Sequence, residues 1–297
     1  MALLWCAIAM LVAGTGFLAQ QRPLPVYRIV DLGTLGGDSS EAASINLLGD
    51  VVGTSTLANG RPHAFLYRAG RMVDVGTLKG GTESHAAAIA DNGVIVGYSG
   101  INDEPGFIPE FKYQGFVWQD GTMRTVGSLY CYCSPSRRYG TSRTLAINNA
   151  GIAVGSTLAG GFATPTHAFR FQNGRLEDIG DPPAAGLNSV AWGINDLGEI
   201  TGTTDRQAFL WRDGVRRELG VPPGFARSEG RAINGKGQVA GNSVTAAGMS
   251  RGFLWDLGTM HGLDPWPGDV SSEARALNKI VGTGRHNGQT RAFLLQP

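Results

Sequence analysis

One short pattern of apolar and small residues recurs along the whole chain. In each copy Ala or Gly precedes phenylalanine, and in five of the six an aromatic residue follows the phenylalanine two positions later, as in the AFLY segment at 64–67. The copies lie at 64–68, 115–119, 168–172, 208–212, 252–256 and 292–296. Residues two apart in a strand share a face, so one face is bulky and the other is small. The pattern predicts strands covered on both faces, with the bulky face of one sheet packed on the small face of the next.

A second pattern repeats in step with the first. It consists of Ile-Asn, two variable residues, Gly and a Val-rich segment, as in INLLGDVVG at 45–53, and Ala90 replaces the Asn of the second copy. The mean spacing is about 46 residues, which is the length of one four-stranded repeat. We label the four predicted strands of a unit a to d. Strand a ends at Ile-Asn, strand b is Val-rich, strand c carries the phenylalanine, and strand d follows Asp-Gly or Asn-Gly turns such as Asp120-Gly121.

These units predict an all-β fold, a six-bladed β-propeller of four-stranded antiparallel blades that forms a single domain over residues 26–297. The last unit stops after strand c, whereas the domain begins with a segment like strand d, VYRIVDLG at 26–33. We therefore predict that Val26–Leu32 pairs beside Arg291–Leu295 and completes the last blade. Such closure would remove an unpaired sheet edge.

The first 20 residues carry no ionisable side chain, and 2–12 is a continuous apolar run. This predicts a secretory signal peptide over 1–20, or else an N-terminal membrane anchor, and an extracellular or periplasmic location. Cleavage of this segment would remove Cys6 and leave Cys131 and Cys133 as the remaining cysteines. They are too few for a disulfide framework, and either two loop cysteines or one local disulfide fits them.

Composition and charge narrow the possible partners. Only 16% of the residues are charged, 42% are hydrophobic, and 45 are glycine, so the chain can bury a core despite its glycine content. The net charge of +1 offers no basic field for nucleic acid. No nucleotide-binding, metal-binding or catalytic-serine motif occurs in a suitable context. We expect a monomer with no cofactor and no metal, and no membrane contact beyond a possible N-terminal anchor.

Three motifs together resemble the HAF-repeat family of bacterial extracellular repeat proteins. They are DLGTLGG at 31–37, INLLGDVVG at 45–53 and HAFLYRAGRM at 63–72. The HAF triplet itself stands at 63–65 and 167–169. The resemblance covers about residues 27–296 and implies secretion and a repeat fold. It supplies no catalytic residues.

Three long connections, 98–114, 128–142 and 156–166, are predicted to emerge on one face of the propeller, in one neighbourhood. Long loops on a rigid scaffold often carry function, and aromatic rings with arginines and carboxylates suit sugar or protein recognition. The candidate ligand-binding residues on these loops are Asp103, Glu104, Phe107, Glu110, Phe111, Tyr113, Tyr130, Tyr132, Arg137, Arg138, Tyr139 and Phe162.

The leading hypothesis is a secreted or periplasmic, non-enzymatic propeller that binds a glycan or a protein through these loops. One alternative is a carbohydrate-active hydrolase or lyase that uses Asp103, Glu104 and Glu110, which would need paired carboxylates. Another is a structural module of a cell-surface assembly. The repeated Asn residues are explained by turn formation rather than by a central site. His63 and His167 occupy a strand position filled elsewhere by Gln207 or Arg291, which predicts a surface position.

Overall fold

The computed structural model describes residues 30–101, 113–129, 132–134, 137–139, 141–158, 165–180, 186–263, 271–277, 280–286 and 289–295. The chain divides into two units, Met1–Asp31 and Leu32–Pro297, and all the sheets belong to the second. The signal peptide predicted for 1–20 lies outside the described residues. Within those residues, no helix is long and apolar enough to cross a membrane.

The described residues are all-β and contain five four-stranded antiparallel sheets and no helix. Sheet 1 consists of β1 (Gly36–Ile45), β2 (Val51–Leu57), β3 (Pro62–Arg68) and β4 (Arg71–Gly76). Sheet 2 consists of β5 (Gly81–Ile89), β6 (Ile95–Ile101), β7 (Tyr113–Gln119) and β8 (Thr122–Thr125). A separate hairpin of β9 (Tyr132–Ser134) and β10 (Arg137–Tyr139) follows.

The remaining sheets repeat the same order. Sheet 3 consists of β11 (Ser142–Ile147), β12 (Ala153–Leu158), β13 (Thr166–Gln172) and β14 (Arg175–Asp178). Sheet 4 consists of β15 (Ser189–Ile194), β16 (Ile200–Thr204), β17 (Ala208–Arg212) and β18 (Val215–Gly220). Sheet 5 consists of β19 (Arg227–Ile233), β20 (Val239–Val244), β21 (Ser250–Asp256) and β22 (Thr259–Leu263). Sheet 6 has the three strands β23 (Ser272–Ala276), β24 (Ile280–His286) and β25 (Gln289–Leu295).

The predicted strand order a to d is confirmed in sheets 1 to 5. The predicted turn chemistry is confirmed as well, because both central residues of every turn between strands c and d have positive φ, as at Asp120 and Gly121. The predicted closure is not seen in the described residues. Residues 26–29 lie outside them, and Val30–Leu32 form no strand.

The sheets pack as the alternation in strand c predicts. Phe65, Phe116, Phe169, Phe209 and Phe253 are all buried. Phe253 and Trp255 of sheet 5, for example, lie against Ala208 and Leu210 on the small face of sheet 4. The core is therefore a series of similar inter-sheet layers rather than one central cluster.

A buried serine joins each pair of successive sheets. Ser228 on strand a of sheet 5 accepts a hydrogen bond from the Ala208 N–H at 2.9 Å and donates one to the Gly220 carbonyl at 2.6 Å. Ala208 and Gly220 belong to strands c and d of sheet 4, and they pair next to a register shift. A hydroxyl is both donor and acceptor, so one serine provides partners for two buried backbone groups. We call this arrangement the serine clasp.

The clasp recurs at the same position of the repeat. Ser84 bridges Ala64 N–H and Gly76 C=O, Ser142 bridges Gly115 N–H and Gly127 C=O, and Ser272 bridges Gly252 N–H and Leu263 C=O. Ser189 accepts from the Ala168 N–H. The close approach also explains the small residue before phenylalanine, because a Cβ at Gly115 would lie 2.5 Å from the Thr144 hydroxyl.

Strand β1 differs from the other first strands. Its Ser40 and Ala42 are exposed, and Ile45 is 66% exposed, whereas the equivalent residues of β5 are buried. Ser40 nevertheless donates to the Gly33 carbonyl at 2.8 Å, which is half of a serine clasp. Within the described residues, the face of β1 that would receive a preceding sheet is therefore open.

The repeated Asn residues form the turns between strands a and b, as predicted. Asn46 accepts hydrogen bonds from the Leu48 and Asp50 N–H groups at 3.0 and 2.9 Å, and its amide donates to the Ala90 carbonyl of the next sheet at 3.3 Å. Asn148 and Asn195 make the equivalent bonds. Asn278 lies outside the described residues.

An ion pair supports the first of these turns. Arg68 donates to both carboxylate oxygens of Asp50, at 2.9 and 2.8 Å, and the Asp50 side chain is 6% exposed. The hydrogen bond from Arg68 lowers the pKa of Asp50, Asn46 lowers it further, and burial opposes both. Glu199 and Arg212 form the equivalent pair in sheet 4.

We expect Ser228→Ala to lower the free energy of unfolding by about 2 kcal/mol, because two buried backbone groups lose their partner. The matched control is Ser250→Ala, since the Ser250 hydroxyl makes no hydrogen bond among the described residues. The measurement is urea unfolding of both variants and the wild type. Equal stability of the two variants would contradict a stabilising role for the clasp.

We expect Arg68→Leu to cost about 2 kcal/mol at pH 7, because it leaves the Asp50 carboxylate buried without its cation. The folded state lowers the pKa of Asp50, so this contribution is present above the unfolded pKa of about 4 and is lost as pH falls through the folded pKa. Unfolding at pH 7 and at pH 3 should therefore show a gap to the wild type that narrows in acid. The control is the exposed Arg71→Leu, and a gap independent of pH would count against the assignment.

Candidate functional site

The structure describes the predicted loop site only in part. Seven of the predicted residues lie outside the described residues: Asp103, Glu104, Phe107, Glu110, Phe111, Tyr130 and Phe162. Four further predicted residues belong to the β9–β10 hairpin: Tyr132, Arg137, Arg138 and Tyr139. Tyr132 pairs with Tyr139 along the backbone. Tyr113 is the predicted residue whose side chain is described. It begins β7 rather than lying in a loop, and the predicted 98–114 connection is shorter than expected because β6 extends to Ile101.

Tyr113 belongs to a group of stacked side chains, which we call the tyrosine cluster: His85, Tyr98, Tyr113 and Arg143. The Tyr98 and Tyr113 rings meet edge to face with centroids 5.1 Å apart. His85 stacks on Tyr98 at 5.0 Å. The Arg143 guanidinium lies 5.2 Å from the Tyr98 centroid and 4.9 Å from that of Tyr113. Four strands of two successive sheets thus present one aromatic and cationic surface.

The backbone explains why these side chains meet. His85 on β5 lies opposite Tyr98 on β6, and Tyr113 starts the neighbouring strand β7. Arg143 follows the clasp serine Ser142 at the start of β11, so the clasp fixes its backbone beside sheet 2. The rings are half-buried and Arg143 is exposed, which leaves the cluster accessible to a ligand.

The protonation state of Tyr98 suits hydrogen bonding. Burial raises the pKa of Tyr98 above the ordinary phenol value, Arg143 opposes this rise, and the Tyr113 hydroxyl and the Glu83 and Glu41 carboxylates add to it. The Tyr98 phenol is therefore protonated at neutral pH and can both donate and accept. His85 Nδ1 lies 3.2 Å from the Thr54 hydroxyl, which links the cluster to sheet 1.

Two residues of the cluster, His85 and Arg143, occupy positions on strand a that vary in an otherwise constant repeat. Strand a reads Ser-x-small-x-small-Ile-Asn in most units. In sheets 2 to 6, this serine and the second residue after it are buried. The first and third positions after the serine are Glu41 and Ala43, His85 and Ala87, Arg143 and Leu145, Val190 and Trp192, Glu229 and Arg231, and Glu273 and Arg275. Aligning the six units on this serine would have identified these positions from the sequence.

One histidine prediction was wrong. His167 is fully buried rather than on the surface. Its Nδ1 pairs with Asp178 Oδ2 at 2.9 Å, and the residue packs so closely on Gly180 that a Cβ there would lie 2.8 Å from the His167 Cβ. The acidic partner on strand d offsets the cost of burying an imidazole. His63 makes the same pair with Asp74 at 3.0 Å and is partly exposed.

The described residues offer no ready-made metal site, since no group of three or more His, Cys, Asp or Glu side chains among them could hold an ion. The carboxylates required by the enzyme hypothesis, Asp103, Glu104 and Glu110, fall outside these residues. The tyrosine cluster itself contains stacking faces, a cation and hydrogen-bonding groups, which can hold a ligand, and the Glu83 and Glu41 carboxylates lie close enough to act on Tyr98.

No family model and no curated protein matches this chain. Among solved structures, it is similar to a prolyl endopeptidase with a TM-score of 0.56 and 11% identity, over 86% of this chain and 42% of that one. It is also similar to the acylaminoacyl peptidase of Pyrococcus horikoshii, with a TM-score of 0.54 and 10% identity, over 86% of this chain and 44% of that one. The chain thus spans less than half the length of these two peptidases.

A third similar structure corresponds to a larger part of its own chain. It is the β-propeller domain of the Trilobed protease from Pyrococcus furiosus, with a TM-score of 0.52 and 10% identity, over 77% of this chain and 70% of that one. At such identities the likeness bears on the fold alone. The sheets of this chain therefore form a β-propeller scaffold.

Proposed function

We propose that this protein is a secreted or periplasmic, non-enzymatic β-propeller that binds a glycan at the tyrosine cluster and along the adjoining loops 98–114, 128–142 and 156–166. The observation that carries the proposal is the stack of Tyr98, Tyr113, His85 and Arg143 at the edge of those loops. Placement outside the cytoplasm rests on the signal-like segment at 1–20 and on the resemblance to HAF-repeat proteins.

The chemistry of the cluster favours a hydroxyl-rich ligand. Each sugar hydroxyl donates and accepts, and the Tyr98 phenol, the His85 imidazole and the Arg143 guanidinium together offer both functions. The faces and edges of the aromatic rings provide apolar contact for the C–H groups of a sugar ring. Held on four strands, these groups need little ordering when a ligand binds.

A glycan fits better than a protein partner. A protein interface buries about 800 Å² on each side around an apolar core. The aromatic rings of the cluster are half-buried, and the most exposed large apolar residues of the described chain lie elsewhere. Leu47, Leu48 and Leu197 are on turns between strands a and b, and Leu257 is on a turn between strands c and d.

We also propose that the propeller has six blades and is closed by Val26–Leu32 beside Arg291–Leu295. The hydrogen bond from the Ser40 hydroxyl to the Gly33 carbonyl supports this arrangement. It is equivalent to the bond from Ser84 to the Gly76 carbonyl in the clasp between sheets 1 and 2. The missing donor would be the N–H of Ala292, whose place in strand c matches that of Ala64. A closed ring would cover the open face of β1 and leave the protein monomeric.

The glycan proposal predicts that a glycan array will detect binding by the wild type. Tyr113→Ala should weaken this binding about tenfold, because one ring contact and one of the two Arg143 stacking contacts are lost. Tyr67→Ala, which removes a partly buried tyrosine of sheet 1, should leave affinity unchanged. Melting curves confirm that both variants fold. Capture of a protein partner with no glycan bound would contradict the proposal, as would equal affinity of the two variants. Cleavage of the bound glycan would contradict its non-enzymatic part.

Closure predicts that Ser40→Ala destabilises the protein about as much as Ser228→Ala, by about 2 kcal/mol. In an open ring Ser40 is a surface residue, and the cost should stay below about 0.5 kcal/mol. A second variant, deletion of 22–32, should associate or aggregate because it exposes a strand edge. Size-exclusion chromatography with light scattering measures this. A monomeric deletion variant with unchanged melting would contradict closure and favour an open topology.

A further inference from the structure

A second candidate site lies on strands a of sheets 4, 5 and 6, outside the tyrosine cluster and the three loops. It is a cavity of about 540 Å³, a volume typical of small-ligand sites. The side chains that matter here are Trp192, Arg227, Glu229, Arg231, Glu273 and Arg275. We call it the tryptophan cavity. A smaller neighbouring cavity of about 260 Å³ shares the first four of these residues.

The walls of the cavity are rigidly placed. Glu229 and Glu273 directly follow the clasp serines Ser228 and Ser272, and Arg227 directly precedes Ser228. The serines are buried against the preceding sheet, so the alternating side chains on the same strands are held on the opposite face. Trp192 is also distinctive because the other described tryptophans belong to strand c, where they pack between sheets.

One arginine of the cavity already has its partners. Arg231 lies 4.3 Å from the centroid of the Trp192 ring and donates to Glu229 at 2.6 Å. It therefore fixes the orientation of both neighbours. Arg275 donates to Glu273 at 3.2 Å, and its side chain is 67% exposed.

Arg227 is different. Its guanidinium is 3.7 Å from the Glu229 carboxylate, which is beyond hydrogen-bonding distance, and its side chain is 54% exposed. Three arginines face two glutamates in this cavity, so one positive charge is in excess. A planar guanidinium with free donors matches a carboxylate in a bidentate pair.

We propose that the tryptophan cavity binds an acidic saccharide. Arg227 pairs with the carboxylate of a uronic acid residue, Glu229 and Glu273 accept hydrogen bonds from its hydroxyls, and the partly exposed Trp192 contacts its ring. The site is separate from the tyrosine cluster, so it stands or fails independently of the function proposed there.

The test compares two probes that differ only at C6, methyl glucuronide and methyl glucoside. Ligand-observed NMR titration of the full chain should give an affinity about tenfold higher for the glucuronide, because a charge-assisted hydrogen bond is about twice as strong as a neutral one. The preference should weaken as salt is added. Equal affinity for the two probes, or no binding of the glucuronide, would overturn the proposal.

Three variants locate the effect. Arg227→Gln should abolish the preference for the glucuronide, whereas Arg61→Gln, at an exposed arginine between β2 and β3, should retain it. Tyr113→Ala should also retain it, which separates this site from the tyrosine cluster. A preference that survives Arg227→Gln, or is lost in either control, would place binding elsewhere. A triglutamate peptide is the third probe, and tighter binding of the peptide than of the glucuronide would overturn the saccharide assignment.

Discussion

A single buried hydroxyl at each junction between sheets governs this architecture. At the register shift between strands c and d, one backbone N–H and one C=O have no hydrogen-bond partner within their own sheet. Burying them without partners would cost free energy of folding. The clasp serine of the next sheet satisfies both, as Ser228 does for Ala208 and Gly220. Its backbone must approach closely, which restricts strand c to Ala or Gly before the phenylalanine. The apolar repeat and the polar clasp are thus two parts of one packing solution.

The clasp also divides strand a into two sets of alternating positions, one that packs on the preceding sheet and one that can carry different functional side chains. One face of strand a is committed to the preceding sheet, so its residues are small or hydroxylic and change little from unit to unit. The alternate positions carry no such constraint, and there the units differ: His85 and Arg143 join a tyrosine cluster, while Trp192 and Glu229 line a charged cavity. A repeat protein can in this way place different binding groups on identical, rigid strands.

Much of the scaffold was predictable because its signals are local. Asp120-Gly121 specifies a hairpin by its own backbone preferences, and Phe209 shows its burial by alternation with small neighbours. The clasp escaped prediction because it joins residues of different units, such as Ser84 with Ala64 and Gly76. His167 escaped because its burial depends on a partner eleven residues away, Asp178. Of the predicted loop residues, Tyr113 is the one whose side chain is described, and it lies in an aromatic cluster.

The junctions have a direction. In every complete clasp the later sheet supplies the hydroxyl and the earlier sheet supplies the two backbone groups, so no unit satisfies its own outer strands. A ribosome releases the units in that same order, and each one stays incompletely bonded until the next has been made. The two ends of the series of sheets therefore differ chemically, because one offers a serine hydroxyl and the other offers backbone groups. Within the described residues, the end at β1 presents a serine, Ser40, to which no preceding sheet is joined.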